Sequence, residues 1–124
     1  MFKTNKDLGL LILRVGASVL MLTHGYGKFL KLFTDPTDFG DPIGLGPFIS
    51  LILAVIGEFI APIFIIIGYK TKLAAIPTTI TMLVAAFIVH ASDPIGTKEK
   101  ALFYAVCFLA IAFTGAGKYS IDKN

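Results

Sequence analysis

Four apolar stretches, separated by segments rich in glycine, proline and charged residues, make up most of the chain of 124 residues. They cover residues 8–33, 47–69, 73–91 and 99–114. The last is a short apolar run, 101–114, extended at its beginning by Glu99 and Lys100. A helix rises about 1.5 Å per residue and the hydrocarbon layer is about 30 Å thick, so about 20 apolar residues cross it. No stretch shows the sustained alternation of barrel strands. The pattern therefore predicts an all-α fold, a four-helix transmembrane bundle that forms one membrane domain over residues 1–124.

The composition narrows the class of protein. The chain is 56% hydrophobic and 15% charged, with a mean hydropathy of +0.82. Soluble domains are about 45–50% apolar and about 25% charged, so a water-soluble monomer is excluded, as is intrinsic disorder. The net charge is only +3 and the lysines are dispersed, which gives nucleic-acid binding little electrostatic support. Cys107 is the single cysteine, so a disulfide within the chain is excluded.

The distribution of charge around the apolar stretches predicts their direction. One side of the membrane receives Lys3, Lys6, Lys70, Lys72, Lys118 and Lys123. The other side receives Lys28, Lys31, Lys98 and Lys100 together with Asp35, Asp38, Asp41, Asp93 and Glu99. Because cytoplasmic loops carry an excess of Lys and Arg, both termini are predicted to be cytoplasmic. Arg14 interrupts an otherwise signal-like first segment, so we expect an uncleaved first span of a multi-pass membrane protein.

Four ionisable residues lie deep in the apolar stretches, where charge is costly and usually faces the protein interior: Arg14, His24, Glu58 and His90, with Lys28 and Glu99 nearer the outer rim. At 1.5 Å per residue from the cytoplasmic ends, Arg14 is about 9 Å deep and Glu58 about 16 Å deep, whereas both histidines are about 25 Å deep. Tyr104 enters from the opposite side at nearly the level of the histidines. The sequence therefore predicts that these two imidazoles and the phenol lie close together.

Arg14 and Glu58 are predicted to form an ion pair, since an axial offset of about 7 Å is within reach of two flexible side chains. Two roles are open for this pair. It acts as a structural clamp, or Glu58 is a protonatable group on a transport or redox pathway. Pro62 cannot donate a hydrogen bond to the Glu58 carbonyl, which predicts a kink or a polar pocket there.

One face of the first helix carries Arg14, Ser18, Met21, Gly25 and, four residues apart, His24 and Lys28. This face is predicted to point inward. A metal site formed by the two histidines with Glu58 or Asp93 is disfavoured, because no tight ligand spacing is present. Two interpretations of the histidines stay open. With Tyr104 they hydrogen-bond a quinone carbonyl or a small anion, or they only satisfy neighbouring groups.

The ordered set of motifs resembles the DoxX/DoxD-like family of small integral membrane proteins. The resemblance rests on Arg14, the run HGYGK at 24–28, Gly57-Glu58, GYKTKLAA at 68–75, His90, KEKALFY at 98–104 and GAGKYSID at 115–122. It implies a four-helix, multi-pass protein of the bacterial inner membrane with polar family positions at His24, Lys28, Glu58, His90 and Glu99. Some relatives are linked to quinone-coupled sulfur oxidation or thiol-oxidative stress complexes, and broader relatives assist cargo export or receptor assembly.

Our leading hypothesis is a membrane component of a respiratory or redox assembly, such as a subunit of a quinone-linked oxidoreductase. The predicted ligand-binding residues are His24, Lys28, Glu58, His90 and Tyr104, with quinone as a candidate ligand and no intrinsic cofactor or metal. No catalytic residue is identified. The alternatives are a non-catalytic assembly subunit of a larger complex and a small-molecule carrier. The expected partners are the lipid bilayer and either a larger complex or further copies of the chain, which a carrier of this size would need.

Overall fold

In the computed structural model, which describes residues 5–36 and 40–123, the chain folds into four helices and that part of the chain contains no strand. The helices are α1 (Lys6–Thr34), α2 (Pro47–Ile67), α3 (Thr71–Val89) and α4 (Ile95–Thr114). Their ends lie within four residues of the predicted boundaries. The prediction of an all-helical fold is confirmed.

The helices run alternately up and down, and each packs against its neighbours in the sequence. The ring closes where α4 packs against α1. The link between α2 and α3 turns through two residues with positive φ, Gly68 and Lys70. Buried side chains of all four helices fill the interior, the largest being Met21, Leu51, Ile65, Phe108 and Ile111. This arrangement brings residue 5 and the segment after α4 to the same end of the bundle.

Three helices among the described residues, α1, α2 and α3, are long and apolar enough to cross a membrane. The fourth, α4, has 20 residues but carries Lys98, Glu99 and Lys100 near its beginning. Large apolar side chains are exposed along all four helices, including Ile12, Leu73 and Phe113. Exposed apolar surface on this scale is typical of helices that contact lipid rather than water.

The inward face predicted for α1 is confirmed in its central part. The buried residues of this helix are Arg14, Ser18, Met21 and Gly25, a run at spacings of three and four residues. Such spacings place side chains on one face of a helix. His24 and Lys28 flank that face and are half-buried.

Asp41 anchors the beginning of α2 from the preceding loop. Its carboxylate accepts hydrogen bonds from the Gly46 amide (3.0 Å) and the Ser50 hydroxyl (2.8 Å). The bond from Ser50 is the main cause of a lowered pKa for Asp41. The described parts of this loop, residues 35–36 and 40–46, are not helical, in agreement with their glycine and proline content. Lys3 and Asp38, which entered the charge comparison, lie outside the described residues.

The segment that follows α4 folds back under the bundle and binds the turn between α2 and α3. The Asp122 carboxylate accepts hydrogen bonds from the amides of Lys70 (2.9 Å) and Thr71 (2.8 Å), so it caps α3 from 50 residues away in the chain. The Asp122 amide donates to the Gly68 carbonyl at 2.8 Å. At the other side, the Lys118 amide donates to Asp7 of α1. The C-terminal segment therefore ties three helices together.

The predicted ion pair between Arg14 and Glu58 is wrong. The buried Arg14 guanidinium donates to three carbonyls, those of Ala116 (2.8 Å), Tyr119 (2.8 Å) and Ile66 (3.3 Å). Glu58 lies further along the bundle, where it pairs with a different cation. The physical reason is that carbonyls at a chain reversal can satisfy a buried guanidinium as well as a carboxylate can. Arg14 is therefore a clamp on the C-terminal segment.

Asp122 makes the stability of the fold depend on pH. Burial raises the pKa of Asp122, but its hydrogen bonds with Thr71 and Lys70 and the charge of Arg14 outweigh burial and hold it below the ordinary value of 3.8. A carboxyl with a lowered folded pKa stabilises the fold above its unfolded pKa and loses that contribution as the pH falls through the folded value. At neutral pH we expect Asp122→Asn to lower the free energy of unfolding by about 1 kcal/mol.

The measurement is the melting temperature of purified protein in detergent from pH 7 to pH 3. The difference between wild type and Asp122→Asn should shrink as the pH falls below about 4. Asp35→Asn, at an exposed carboxylate of the opposite loop, is the matched control. A difference that stays constant with pH would show that the Asp122 charge does not hold the cap.

Arg14 gives a second prediction. Arg14→Met leaves three carbonyls without their donor, and hydrogen bonds to a charged group contribute about 1.5–3 kcal/mol each before the burial cost of the charge is subtracted. We expect a loss of ~2 kcal/mol or more and faster hydrogen exchange at residues 118–122. Lys72→Met, at an exposed lysine of the same end, is the control. Unchanged exchange in a destabilised Arg14 variant would contradict the clamp.

Candidate functional site

A cavity of about 220 Å³ lies between the helices at the end of the bundle opposite the C-terminal segment. We call it the polar cavity. Its lining combines residues of all four helices with the residue that follows α3: His24, Lys28, Glu58, Met82, Ala85, His90, Lys100, Ala101 and Tyr104. All five residues predicted to bind ligand are among them. The structure therefore brings these five side chains, which are spread from residue 24 to residue 104 in the sequence, to one cavity.

An ion pair forms one wall of the polar cavity. Lys28 Nζ lies 2.6 Å from Glu58 Oε2, and the side chain of Glu58 is only 3% exposed whereas that of Lys28 is 34% exposed. A buried carboxylate without a cation would be strongly destabilising, since the desolvation of its charge would not be compensated. Lys28 therefore supplies the charge that the sequence analysis assigned to Arg14.

Local distortion of α2 positions Glu58. The turn Ile56–Ile60 is π-helical, with the Ala61 amide donating to the Ile56 carbonyl. Pro62, two residues after the end of this turn, has no amide hydrogen to donate to the Glu58 carbonyl, so the disturbance predicted from Pro62 is present as this turn. The Thr78 hydroxyl donates to the Gly57 carbonyl at 2.6 Å. The backbone of the widened turn thus keeps some of its hydrogen bonds, and the Glu58 side chain lines the cavity.

Two glycines let the neighbouring helices approach this turn. A Cβ atom at Gly25 of α1 would overlap the Glu58 carbonyl, and a Cβ atom at Gly57 would overlap the side chain of Thr81. Such approaches are open only to a residue without a side chain. The contact at Gly25 sets Lys28, one turn further along α1, beside the carboxylate of Glu58.

His24 and Tyr104 face each other across α1 and α4. Their ring centroids are 5.6 Å apart with an interplanar angle of 79°, an edge-to-face contact. Among the described residues, no hydrogen-bond partner reaches the ring nitrogens of His24 or the hydroxyl of Tyr104. Both side chains line the polar cavity. Their polar atoms can therefore donate or accept hydrogen bonds to a ligand, since no described residue of the protein takes those bonds.

His90 stands at the rim, directly after a second π-helical turn, Ala85–Val89. Its amide donates to the Ala85 carbonyl, and its Nδ1 lies 2.8 Å from Asp93 Oδ2. The carboxylate fixes the ring orientation, so the opposite nitrogen, Nε2, is the one left for a ligand. Asp93 thus orients the His90 ring. The described residues contain no group of three or more His, Cys, Asp or Glu side chains that could hold a metal ion.

Lys100 is a cavity residue that the sequence analysis missed. The sequence places it with the charged residues at the outer end of the fourth apolar stretch, yet it lines the polar cavity. A signal was present, because Lys100 lies four residues before Tyr104 and so shares its helix face. No carboxylate of the described chain pairs with Lys100. Glu99, one of the polar positions suggested by the resemblance, is exposed and lies outside the lining.

The polar cavity is lined by charged groups of both signs. Among the described residues, the ammonium groups of Lys28 and Lys100 and the carboxylate of Glu58 line this cavity, and the His90–Asp93 pair lies at its rim. Ammonium groups in a cavity wall favour electron-rich or anionic ligands. Hydrogen bonding to carbonyl or anionic oxygens is the chemistry available to the free groups of His24 and Tyr104.

Comparison with known proteins gives the family. The DoxX family model matches residues 9–91. The chain is 30% identical to "Inner membrane protein YqjF" of Escherichia coli (strain K12), over 98% of this chain and 95% of that protein. It is 31% identical to an "Uncharacterized protein" of Haemophilus influenzae, over 93% and 89% of the two chains. It is 26% identical to "Putative oxidoreductase CatD" of Bacillus subtilis (strain 168), over 94% and 86%.

No solved structure matches the chain. The match to the DoxX model covers most of the residues that form α1, α2 and α3, and therefore most of the walls of the polar cavity. Several helices are long and apolar enough to span a bilayer, and the Escherichia coli relative is an inner membrane protein. The resemblance seen in the motifs is confirmed: the chain belongs to the DoxX family and is a multi-pass inner membrane protein.

Proposed function

We propose that this protein is a membrane component of a respiratory or redox assembly, in which the polar cavity binds the head group of a quinone or a small reducible ligand. One observation carries the proposal. Ring nitrogens, a phenol and two ammonium groups converge on one cavity within apolar helices, and the polar atoms of His24 and Tyr104 have no hydrogen-bond partner among the described residues. The name of the Bacillus subtilis relative supports the class of reaction.

The lining residues take different roles in this proposal. His24 and Tyr104 hydrogen-bond an oxygen of the ligand and orient it, and His90 binds from the rim. Lys28 and Lys100 favour the electron-rich form of the ligand through their charge. Glu58 accepts a hydrogen bond from Lys28 and so holds that ammonium group beside the ligand.

The arrangement in the membrane is part of the proposal. All four helices cross the bilayer, α4 placing its charged beginning at the outer surface, and both termini lie in the cytoplasm. Lysines at the end formed by the α2–α3 link and the C-terminal segment support this direction. The polar cavity would then open near the outer face of the inner membrane.

A second candidate is a non-catalytic assembly subunit whose charged residues only pin the bundle. The Arg14 clamp favours it, since a deeply buried charge here serves the fold alone. This candidate requires that the protein co-purify in fixed proportion with a larger membrane complex and carry no ligand between its helices. Native mass spectrometry in mild detergent distinguishes the two candidates by reporting bound small molecules and partner chains in one measurement.

The third prediction concerns His24. In the purified protein, His24→Ala removes one hydrogen bond to the ligand, and we expect it to weaken binding of a chainless benzoquinone about tenfold, which corresponds to roughly 1.4 kcal/mol. Equilibrium dialysis in detergent provides the dissociation constant. Thr23→Ala, at the exposed neighbour on α1, is the matched control and should bind as the wild type does.

Two results would count against the proposal. Equal binding by wild type and a folded His24→Ala variant would remove His24 from the site. Absence of quinone binding by the wild type, together with a stoichiometric partner in the mass spectrum, would replace the redox role with the assembly role.

A further inference from the structure

A second cavity adjoins the first on the other side of the Lys28–Glu58 pair. Its volume is about 300 Å³, and we call it the apolar cavity. Its lining comes mainly from α2, α3 and the loop before α2: Lys28, Pro42, Ile43, Ser50, Leu53, Ala54, Glu58, Pro77, Ile80, Thr81, Val84, Ala85 and Val89. Apart from the ion pair and two hydroxyls, these side chains are hydrocarbon. The cavity therefore suits an apolar occupant.

The two cavities share three lining residues, Lys28, Glu58 and Ala85. A ligand that spans them would pass beside the ion pair. The polar cavity alone, at about 220 Å³, is smaller than the roughly 300–1,000 Å³ that ligand sites usually occupy. Together with the apolar cavity it reaches that range. The size of the combined space thus points to an extended ligand with one polar and one apolar part.

The apolar cavity is bordered by side chains that also reach the outer surface of the helices. Leu53 is 43% exposed, Ile80 is 55% exposed and Val89 is 55% exposed. They belong to α2 and α3, both long enough to cross the membrane, so their exposed parts face hydrocarbon. A chain lying in the bilayer can reach the cavity between these two helices without passing through water.

We infer that the apolar cavity binds the hydrocarbon chain of the ligand whose head group occupies the polar cavity. The ligand is therefore a chain-bearing quinone drawn from the membrane, and a small water-soluble quinone fills only half of the site. This inference rests on the proposed function and adds the class of ligand to it. The ion pair marks the junction, with Lys28 next to the electron-rich ring and Ala54 beside the chain.

Filling one cavity at a time tests the inference. Ala54 lines only the apolar cavity and Ala101 lines only the polar cavity. Purified Ala54→Phe and Ala101→Phe are compared with wild type for binding of two probes, a benzoquinone without a chain and the same ring with a ten-carbon chain. Because each variant is compared with wild type for the same probe in the same detergent, partition of the probe into micelles cancels.

We expect Ala54→Phe to weaken binding of the ten-carbon probe at least tenfold and to leave the chainless probe within twofold of wild type. Ala101→Phe should weaken both. Val106→Phe, at an exposed position of α4 that lines neither cavity, should change neither. If Ala54→Phe does not fold, as judged by gel filtration and melting temperature, Val84→Phe fills the same cavity from α3 and takes its place.

The outcomes separate this inference from the proposed function. Wild type that binds the chainless probe, with apolar-cavity variants that affect both probes equally or neither, overturns the chain site and leaves the proposed function standing. Wild type that binds neither probe overturns the proposed function and the chain site with it.

Discussion

A carboxylate buried among apolar helices has to be neutralised, and the ion pair of Glu58 with Lys28 meets that need in this protein. The carboxylate is nearly inaccessible, and its cation comes from the neighbouring helix at 2.6 Å. Neither residue could take this place alone, since a lone charge in such surroundings is destabilised by several kcal/mol. The close approach at Gly25 and the π-helical turn around Glu58 are the backbone features that bring the pair together.

The same pair determines the shape of the interior. Because it lies in the shared wall of both cavities, it separates a region of imidazole, phenol and ammonium groups from a region of hydrocarbon. A substitution at Glu58 or Lys28 would therefore alter stability and both cavities at once. This is why the proposed tests use Ala54, Ala101 and His24, each of which borders one cavity and is not part of the ion pair.

Much of this architecture is predictable from the sequence, and the exceptions have a common cause. Apolar length gives the helices, and spacings of three and four residues give the inward face of α1. The level shared by His24 and Tyr104 follows from the rise of a helix. The partners of Arg14 cannot be predicted in this way, because they are backbone carbonyls in a segment that folds back. Every residue has a carbonyl, so the sequence does not indicate which ones accept a hydrogen bond. Because the sequence favours Arg14 as the cation for Glu58, it does not indicate that Lys28 takes that place.

Polar atoms without a hydrogen-bond partner are enclosed by packing in one part of the bundle and border a cavity in another. This difference favours a ligand in the cavity. Between the C-terminal end and the middle of the bundle, Arg14 Nε and Ser18 Oγ lack partners among the described residues, but they border neither cavity and packing encloses them. At the other end, His24 and Tyr104 leave their polar atoms open to space that a molecule can enter. An unmet hydrogen bond costs free energy in either place. Only beside a cavity can binding recover that free energy, so the polar end is where we expect function to lie.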